Sequence, residues 1–488
     1  MFPDRTVSAQ PRQTDQRPEC TIAGMTSARP EPVPTLTSIQ ELIADLPETT
    51  VITDPDLMEG YRYDWARDPG AGHPVAVVRP TTTEQVQITM RWAHRNRVPV
   101  VPRGAGSGLS GGSSAVQNGI VLSLDRMRRI EIDTASRVAV VEPGALNAAV
   151  KAAAALEGLW YPPDPSSFEM CSIGGNIATN AGGLCCVKYG VTTDYVLGLD
   201  IVLSDGTAIT LGGNRLKDVA GLSLLKLFVG SEGTLGIVTR AILRLIPPQA
   251  PPSTMVALFG SISAAAEAVV AISRTARPAM LELMDSASIN AVEDHLSMGL
   301  DRNAGALLLA QSDLGGSLAS AEIAEIERIC MACGATEAFR TDDPVEGEAF
   351  AIARRAAFPA IEKRGSLMLE DVGVAVPRLP RLLAGISEIS ERLGVEIPTV
   401  AHAGDGNTHP IVVFDAADPD SCRLARLAFD EIMTLAISLD GTITGEHGVG
   451  RLKKGHLPAQ LGPDVMELTH RIKDALDPLG ILNPGAVL

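Results

Sequence analysis

Residues 98–114 read VPVVPRGAGSGLSGGSS, and this glycine-dense stretch limits the folds open to the chain more than any other. Gly106, Gly108 and Gly111 satisfy the G-x-G-x-x-G pattern of a dinucleotide loop. In a nicotinamide-binding Rossmann unit that pattern lies between a strand and a helix, and the helix N-terminus carries the pyrophosphate. The stretch before the loop fits: HPVAVVRPTTTEQVQITMRWAHRNRVPVVPRG reads as strand, turn, helix, strand. Its first apolar run stops at Val78, Pro80 breaks it, Thr81 and Glu84 form a capping box, and Val86, Met90 and Ala93 keep helical spacing. The stretch after the loop does not fit. In GIVLSLDRM, Ile120, Leu122 and Leu124 alternate with Val121, Ser123 and Asp125, which predicts a strand. The loop thus joins two strands, without a helix dipole and without an acid about 20 residues on, so the nicotinamide reading is disfavoured. The glycines still offer backbone access. Lacking Cβ atoms, they let successive N–H groups turn toward one diphosphate, and Arg103 adds a charge.

Two further clusters combine glycine with Ser, Thr and Asn: PPDPSSFEMCSIGGNIATNAGG (162–183) and VGSEGTLGIVTRAILRL (229–245). Three backbone-lined loops can wrap an extended dinucleotide. The proline-dense LIPPQAPPST (245–254) predicts a boundary between a cofactor-binding domain over 37–248 and an α+β domain over 249–488. Residues 1–36 are rich in Pro, Thr, Ser and Arg with no apolar period, which predicts a disordered tail; Met25 is an alternative start to Met1. Arg5, Arg12, Arg17 and Arg29 hint at a transit peptide, but Asp4, Asp15, Glu19 and the prolines oppose an amphipathic helix there.

The 41 basic and 58 acidic side chains give a net charge of −17, which argues against nucleic-acid binding and for small-molecule partners. Seven cysteines without regular spacing do not form an extracellular disulfide framework, and a reducing cytoplasm fits them best. Cys330 and Cys333 make a C-x-x-C without a partner pair, and Cys185 and Cys186 likewise stand alone, so no iron–sulfur site is expected. Electrons must leave through another cofactor or partner. No apolar run is long enough to cross a bilayer, while peripheral attachment stays compatible with the composition.

The sharpest local signal is HAGDGNTHP (402–410). Asp405-Gly406 is a favoured two-residue hairpin turn, and folding there pairs Gly404 with Asn407, Ala403 with Thr408 and His402 with His409. Two imidazoles so paired are about 4.5–5.5 Å apart at Cβ, within reach of one metal ion. Such a pair is either structural or metal-binding. GTITGEHGVGRLKKG (441–455) offers a third ligand, Glu446, flanked by Gly445, Gly448 and Gly450, and the neighbouring His447 is a candidate general base. Two His and one Glu leave positions open for substrate. Arg354 and Arg355 suit a substrate carboxylate, and equally a solvated helix face.

In this order VPRGAGSGLSGG, SIGGNIATNAGG, VGSEGTLGIVT, HAGDGNTHP and GEHGVG form a specific set. With it the chain resembles the flavin-linked D-2-hydroxy acid dehydrogenase family, which includes the flavoprotein subunit of bacterial glycolate oxidase, D-lactate dehydrogenases and D-2-hydroxyglutarate dehydrogenases. The resemblance runs from HPVAVVRPTTTEQV to DPLGILNPG. It implies an α+β fold: a PCMH-type, vanillyl-alcohol oxidase-like FAD-binding domain followed by an FAD-linked oxidase C-terminal domain. It implies non-covalent FAD held by Arg103, Gly104, Ala105, Gly106, Ser107, Leu109 and Ser110 in the first loop. Pro163, Ser172, Gly175, Asn176, Thr179, Ala181, Gly182 and Gly183 follow in the second segment, with Glu232 and Ile237 in the third. By the same resemblance His402, His409 and Glu446 match ligands of a divalent metal, zinc or manganese, His447 matches the base, and Arg354 matches the arginine that grips the substrate carboxylate.

The implied reaction oxidises a small 2-hydroxy acid. The metal polarises the hydroxyl, His447 takes its proton, and hydride passes to flavin N5. Around SLMLEDVGV the chain lacks the lysine that the hydroxyglutarate enzymes place before their matching aspartate, here Asp371, which favours glycolate or D-lactate over a dicarboxylate. The electron acceptor stays open, an iron–sulfur or electron-transfer subunit among the candidates. The expected location is cytoplasmic, with attachment to the inner membrane and a homodimer both compatible. Two other classes remain: a metallohydrolase using the same His/His/Glu set, and a flavin-binding subunit without turnover.

Overall fold

The structure, a computed structural model, describes residues 36–488, so all but the last residue of the expected tail, and the choice between Met1 and Met25, lie outside the described residues. A helix over Leu36–Asp45 precedes the first sheet. That four-stranded sheet runs in the order Val51–Ile52, Ala76–Val78, Ile120–Ser123, Val100–Arg103. Its last three strands are parallel. The helix Thr83–Asn96 makes the first crossover. Its cap lies one residue beyond the expected Thr81/Glu84 box: Thr82 is the N-cap, its hydroxyl accepts from Gln85 N at 3.3 Å, and Gln85 Oε1 accepts from Thr81 N at 2.8 Å. Because the helix begins at Thr83, Gln85 is its third residue and the one able to reach back.

The second crossover carries the glycines. Residues 104–119 connect Val100–Arg103 to its parallel neighbour Ile120–Ser123 as irregular chain, where a parallel pair ordinarily uses a helix. The strand–loop–strand reading agrees with this arrangement. A five-stranded antiparallel sheet follows, ordered Ile130–Asp133, Val138–Val141, Ile237–Arg244, Val196–Val202, Ala208–Gly212.

Beyond the proline-dense segment lies an eight-stranded antiparallel sheet whose central order is Ala306–Ser312, Met280–Asp285, Thr399–His402, Asn407–Phe414. Its middle strands are apolar on both faces because helices cover both. Leu281, Leu283, Ala401 and Val412 face one core with helices Ile262–Ile272, Leu379–Leu393 and Pro419–Ser438. Met280, Met284, Val400 and Ile411 face the other, against Leu184 and helices Ser286–Leu296 and Ala357–Glu362.

The chain does not stay on one side of residues 245–254. Ile472 and Leu476 pack on the core of the five-stranded sheet, and Ile481 and Leu482 are buried in the core of the four-stranded one. Val100 N donates to Ile481 O at 2.7 Å and Asn483 N to Val100 O at 2.8 Å. The last residues therefore extend the sheet from which the glycine loop springs.

Candidate active site

A cavity of about 440 Å³ lies where the glycine loop, residues 165–181 and residues 231–238 meet the eight-stranded sheet. Of the residues the resemblance assigns to flavin, Arg103 to Ser107, Leu109, Ser110, Ser172, Gly175, Asn176, Thr179, Ala181, Glu232 and Ile237 line it. Three do not. Pro163 is buried with its carbonyl accepting from Asn147 Nδ2, and Pro165 lines the cavity instead. Gly182 and Gly183 sit behind Glu446 rather than on the cavity wall: a Cβ on Gly182 would lie 2.6 Å from Glu446 Oε2, and one on Gly183 2.3 Å from Asp164 O.

The loop accepts only glycine where it turns. At Gly106 φ is +74°, and a Cβ there would fall 2.1 Å from Arg103 Nη2, since the loop wraps its own guanidinium. At Gly104 a Cβ would meet Ser172 Oγ at 2.3 Å, and that hydroxyl accepts from Ala105 N and Gly175 N. Asn176, on the wall, keeps a buried Nδ2 without a partner. Unspent donors and backbone laid bare by glycine fit a diphosphate and a ring with polar edges.

The two histidines reach one face by a different register from the expected one. His402 pairs with Asn407, Ala401 with Thr408 and Val400 with His409, so the connection is wider than a two-residue turn. The imidazoles are diagonal rather than directly opposed. Side chains two residues apart share a face, so both rings still meet, with centroids 5.0 Å apart. His402 Nε2 and His409 Nε2 lie 3.2 and 3.3 Å from the same oxygen, Glu446 Oε1. Two imidazole nitrogens and a carboxylate oxygen, all within 4.8 Å of one another, are a donor set for a divalent transition ion.

The buried Glu282 supports this set. Its oxygens lie 2.9 and 3.0 Å from His402 Nδ1, the carboxylate–histidine arrangement that fixes a ligand imidazole. Burial alone would lower the pKa of His402, but Glu282 and Glu446 reverse that and hold it well above its ordinary value. Burial, then the charges of His447 and His402, push His409 down to about 4, against the pull of Glu446. His409 therefore offers a neutral nitrogen at working pH.

The loop bearing Glu446 and His447 is pinned from both halves of the chain. Asp371 Oδ2 accepts from the backbone N–H of Gly445, Glu446 and His447 at 2.8–3.0 Å and from Thr444 Oγ1 at 2.7 Å. Burial opposes the charge on Asp371, but His447, Lys453 and His409 outweigh it and keep the carboxyl below its usual range. Glu232 accepts from Val449 N at 2.7 Å and Gly450 N at 2.9 Å. Glu232 thus holds the loop with its carboxylate while lining the cavity. His447 stacks on His409 at 4.8 Å, lines the cavity, and keeps Nδ1 buried without a partner.

Arg354 and Arg355 end the helix Pro344–Arg355 and both line the cavity. Arg354 is the buried one, with Nη2 2.9 Å from Glu282 Oε2 and Nε unpartnered; Arg355 pairs with Glu348 and stays partly exposed. Sequence reasoning passed over Glu282 and the structural part of Asp371. A signal for Glu282 existed: it is the one acid inside the apolar run AMLEL, at a strand position with no water to solvate it.

Residues 249–487 match the family described as FAD linked oxidases, C-terminal domain, and residues 74–212 match an FAD binding domain. The chain is 40% identical over 428 residues to the glycolate oxidase subunit GlcD of Bacillus subtilis (strain 168), covering 87% of this chain and 91% of that protein. It is 33% identical over 439 residues to a D-lactate dehydrogenase of Archaeoglobus fulgidus, covering 88% and 96%. Among solved structures, p-cresol methylhydroxylase with substrate bound superposes with a TM-score of 0.77 at 17% identity, over 92% of this chain and 96% of that one. A 4-ethylphenol oxidase from Gulosibacter chungangensis gives 0.76 at 19%, with the same coverage. At such identities the two structures show a shared fold.

Proposed function

The chain belongs to the FAD-linked oxidases, and from that membership we propose that it oxidises a small D-2-hydroxy acid, glycolate or D-lactate, to the 2-oxo acid. The observation that carries this reading is one shared cavity: the glycine loop lines it together with Arg354, His409, Glu446 and His447. A metallohydrolase would leave the glycine-lined part of that cavity without a purpose.

A bound flavin supplies the hydride acceptor, and a divalent ion held by His402, His409 and Glu446 supplies a Lewis acid. The chain's own residues do the rest. Arg354, which lines the cavity and is oriented by Glu282, binds the substrate carboxylate. His447, which lines the cavity, takes the hydroxyl proton. Asp371 and Glu232 keep the 444–450 loop from shifting as that proton moves.

One relative is named as a subunit, which supports a partner chain for this protein. Among the described residues no helix is long and apolar enough to cross a membrane. The test is anaerobic mixing of the purified yellow protein with D- and L-2-hydroxy acids. Bleaching of the flavin by D-lactate or glycolate, and not by L-lactate, is the expected result; a flavin that every 2-hydroxy acid leaves oxidised overturns the proposal.

A further inference from the structure

A second cavity, of about 480 Å³, reaches the histidine–glutamate cluster from the side away from the glycine loop. His402 and Glu446 form its floor, whereas His409, Glu446 and His447 line the first cavity. Glu446 is common to both, so the cluster is the partition between two separate approaches. The second opens to solvent past the exposed Ala375, Asp405 and Asp440.

The two approaches differ in charge. The first mixes Arg103, Arg354 and Arg355 with Asp64, Glu232, Glu362 and Glu446, and a bound flavin and substrate would fill it. The second has no Lys or Arg among its described lining residues; it presents Asp405, Asp440, Asn407 and Thr442 on the way to His402 and Glu446. Asp440 is paired with Arg378, and Asp405, whose carboxylate accepts from Asn407 N at 3.2 Å and has no ion pair with Lys or Arg among the described residues, is the other acid at the mouth. A hydrated dication is drawn by the carboxylates of the second, where oxygen donors can replace its waters stepwise. The floor has no room for larger residues: a Cβ on Gly182 would crowd Glu446 Oε2 at 2.6 Å and Cys186 Sγ at 3.1 Å, and one on Gly445 would strike Asn407 Nδ2 at 2.3 Å.

We infer that this second cavity is the route by which the divalent ion reaches and leaves the His402, His409 and Glu446 donors while the flavin cavity is occupied. The inference rests on the metal reading given above. It makes ion exchange independent of flavin and substrate, and it assigns Asp405 and Ala375 to the path without any part in turnover.

The test follows metal rather than activity. Full-length protein with flavin bound is stripped with a chelator and refilled with Zn²⁺, with metal content measured by atomic absorption and uptake followed with a zinc indicator. Asp405→Lys, which reverses the charge at the mouth, slows zinc uptake by about tenfold or more. Ala375→Trp, which narrows the mouth, slows uptake and release by a similar factor and leaves final zinc content and flavin content at wild-type levels. Asp405→Asn gives an intermediate rate and guards against a folding defect in the lysine variant. Unchanged rates in all three variants, or uptake that stops when flavin is bound, overturn the route while leaving the metal site standing. Wild-type protein that retains no zinc overturns the metal reading, and the route with it.

Discussion

Arg354 and His402 end on the same buried carboxylate. Glu282 Oε2 lies 2.9 Å from Arg354 Nη2, and Oε1 lies 2.9 Å from His402 Nδ1. The register Leu283↔Ala401 and Met284↔Val400, carried one pair further, sets Glu282 opposite His402 on the sheet face that bears the cluster. One anion thus orients the cation facing the cavity and one of the candidate metal ligands.

Glu282→Gln is expected to weaken both functions at once, because the amide keeps the shape and loses the charge. Removal of such an outer partner costs about 10- to 100-fold in metal affinity or activity. The measurements are zinc retention during dialysis and KM for the acid. A change in only one of them contradicts the shared anchor.

His447→Ala should leave the protein yellow and reduce the rate of anaerobic flavin bleaching by substrate about a hundredfold or more. Stopped-flow absorbance reads this directly. Wild-type bleaching rates in the variant would remove His447 from proton transfer.

Gly106→Ala places a methyl group on the Arg103 guanidinium at a backbone angle that favours glycine. The expected outcome is protein purified with little flavin, detected by its visible spectrum, and poor reconstitution with added FAD. Gly158, at φ +69° with nothing within 4 Å of its Cβ position, is the control: Gly158→Ala costs stability of about 1 kcal/mol and no flavin.

The pH dependence of stability follows from Glu232. Burial, opposed by the N–H groups of Val449 and Gly450, raises its carboxyl from 4.5 to about 7 in the folded chain. A raised folded-state value means the native protein binds the proton more tightly than the unfolded one. The resulting stabilisation is full below the unfolded value and is lost as pH rises through about 7. Melting temperatures of wild type and Glu232→Gln, measured from about pH 4 to about pH 8, should therefore diverge, with wild type losing ground as pH rises. A constant difference across that range contradicts the assignment.

Much of this was legible in the sequence because glycine and histidine spacing reports local geometry. The loop at 104–119 reads as strand-to-strand from alternation alone, and His402 and His409 lie on one face in either register because both registers preserve parity. The turn width was not legible. Asp405-Gly406 is a strong hairpin signal, but Asp405 N and Gly406 N both bond to His402 O, and Val374 O holds the chain where a Cβ on Gly406 would sit. Local propensity lost to that tertiary contact. The loop-holding part of Glu232 and the whole of Glu282 were not legible for a shared reason: their partners are 217 and 120 residues away, and no short motif encodes such a distance.

The return of residues 481–483 to Val100 also sets a timetable for synthesis. A ribosome must make the whole eight-stranded sheet before Leu482 emerges to join the edge of the first sheet. Until then the strand that launches the glycine loop is unpaired on its outer edge, and Asn483 is missing from the carbonyls of Gly112 and Glu232. The glycine loop thus gains its full set of supporting contacts only after residues far downstream of it have been made.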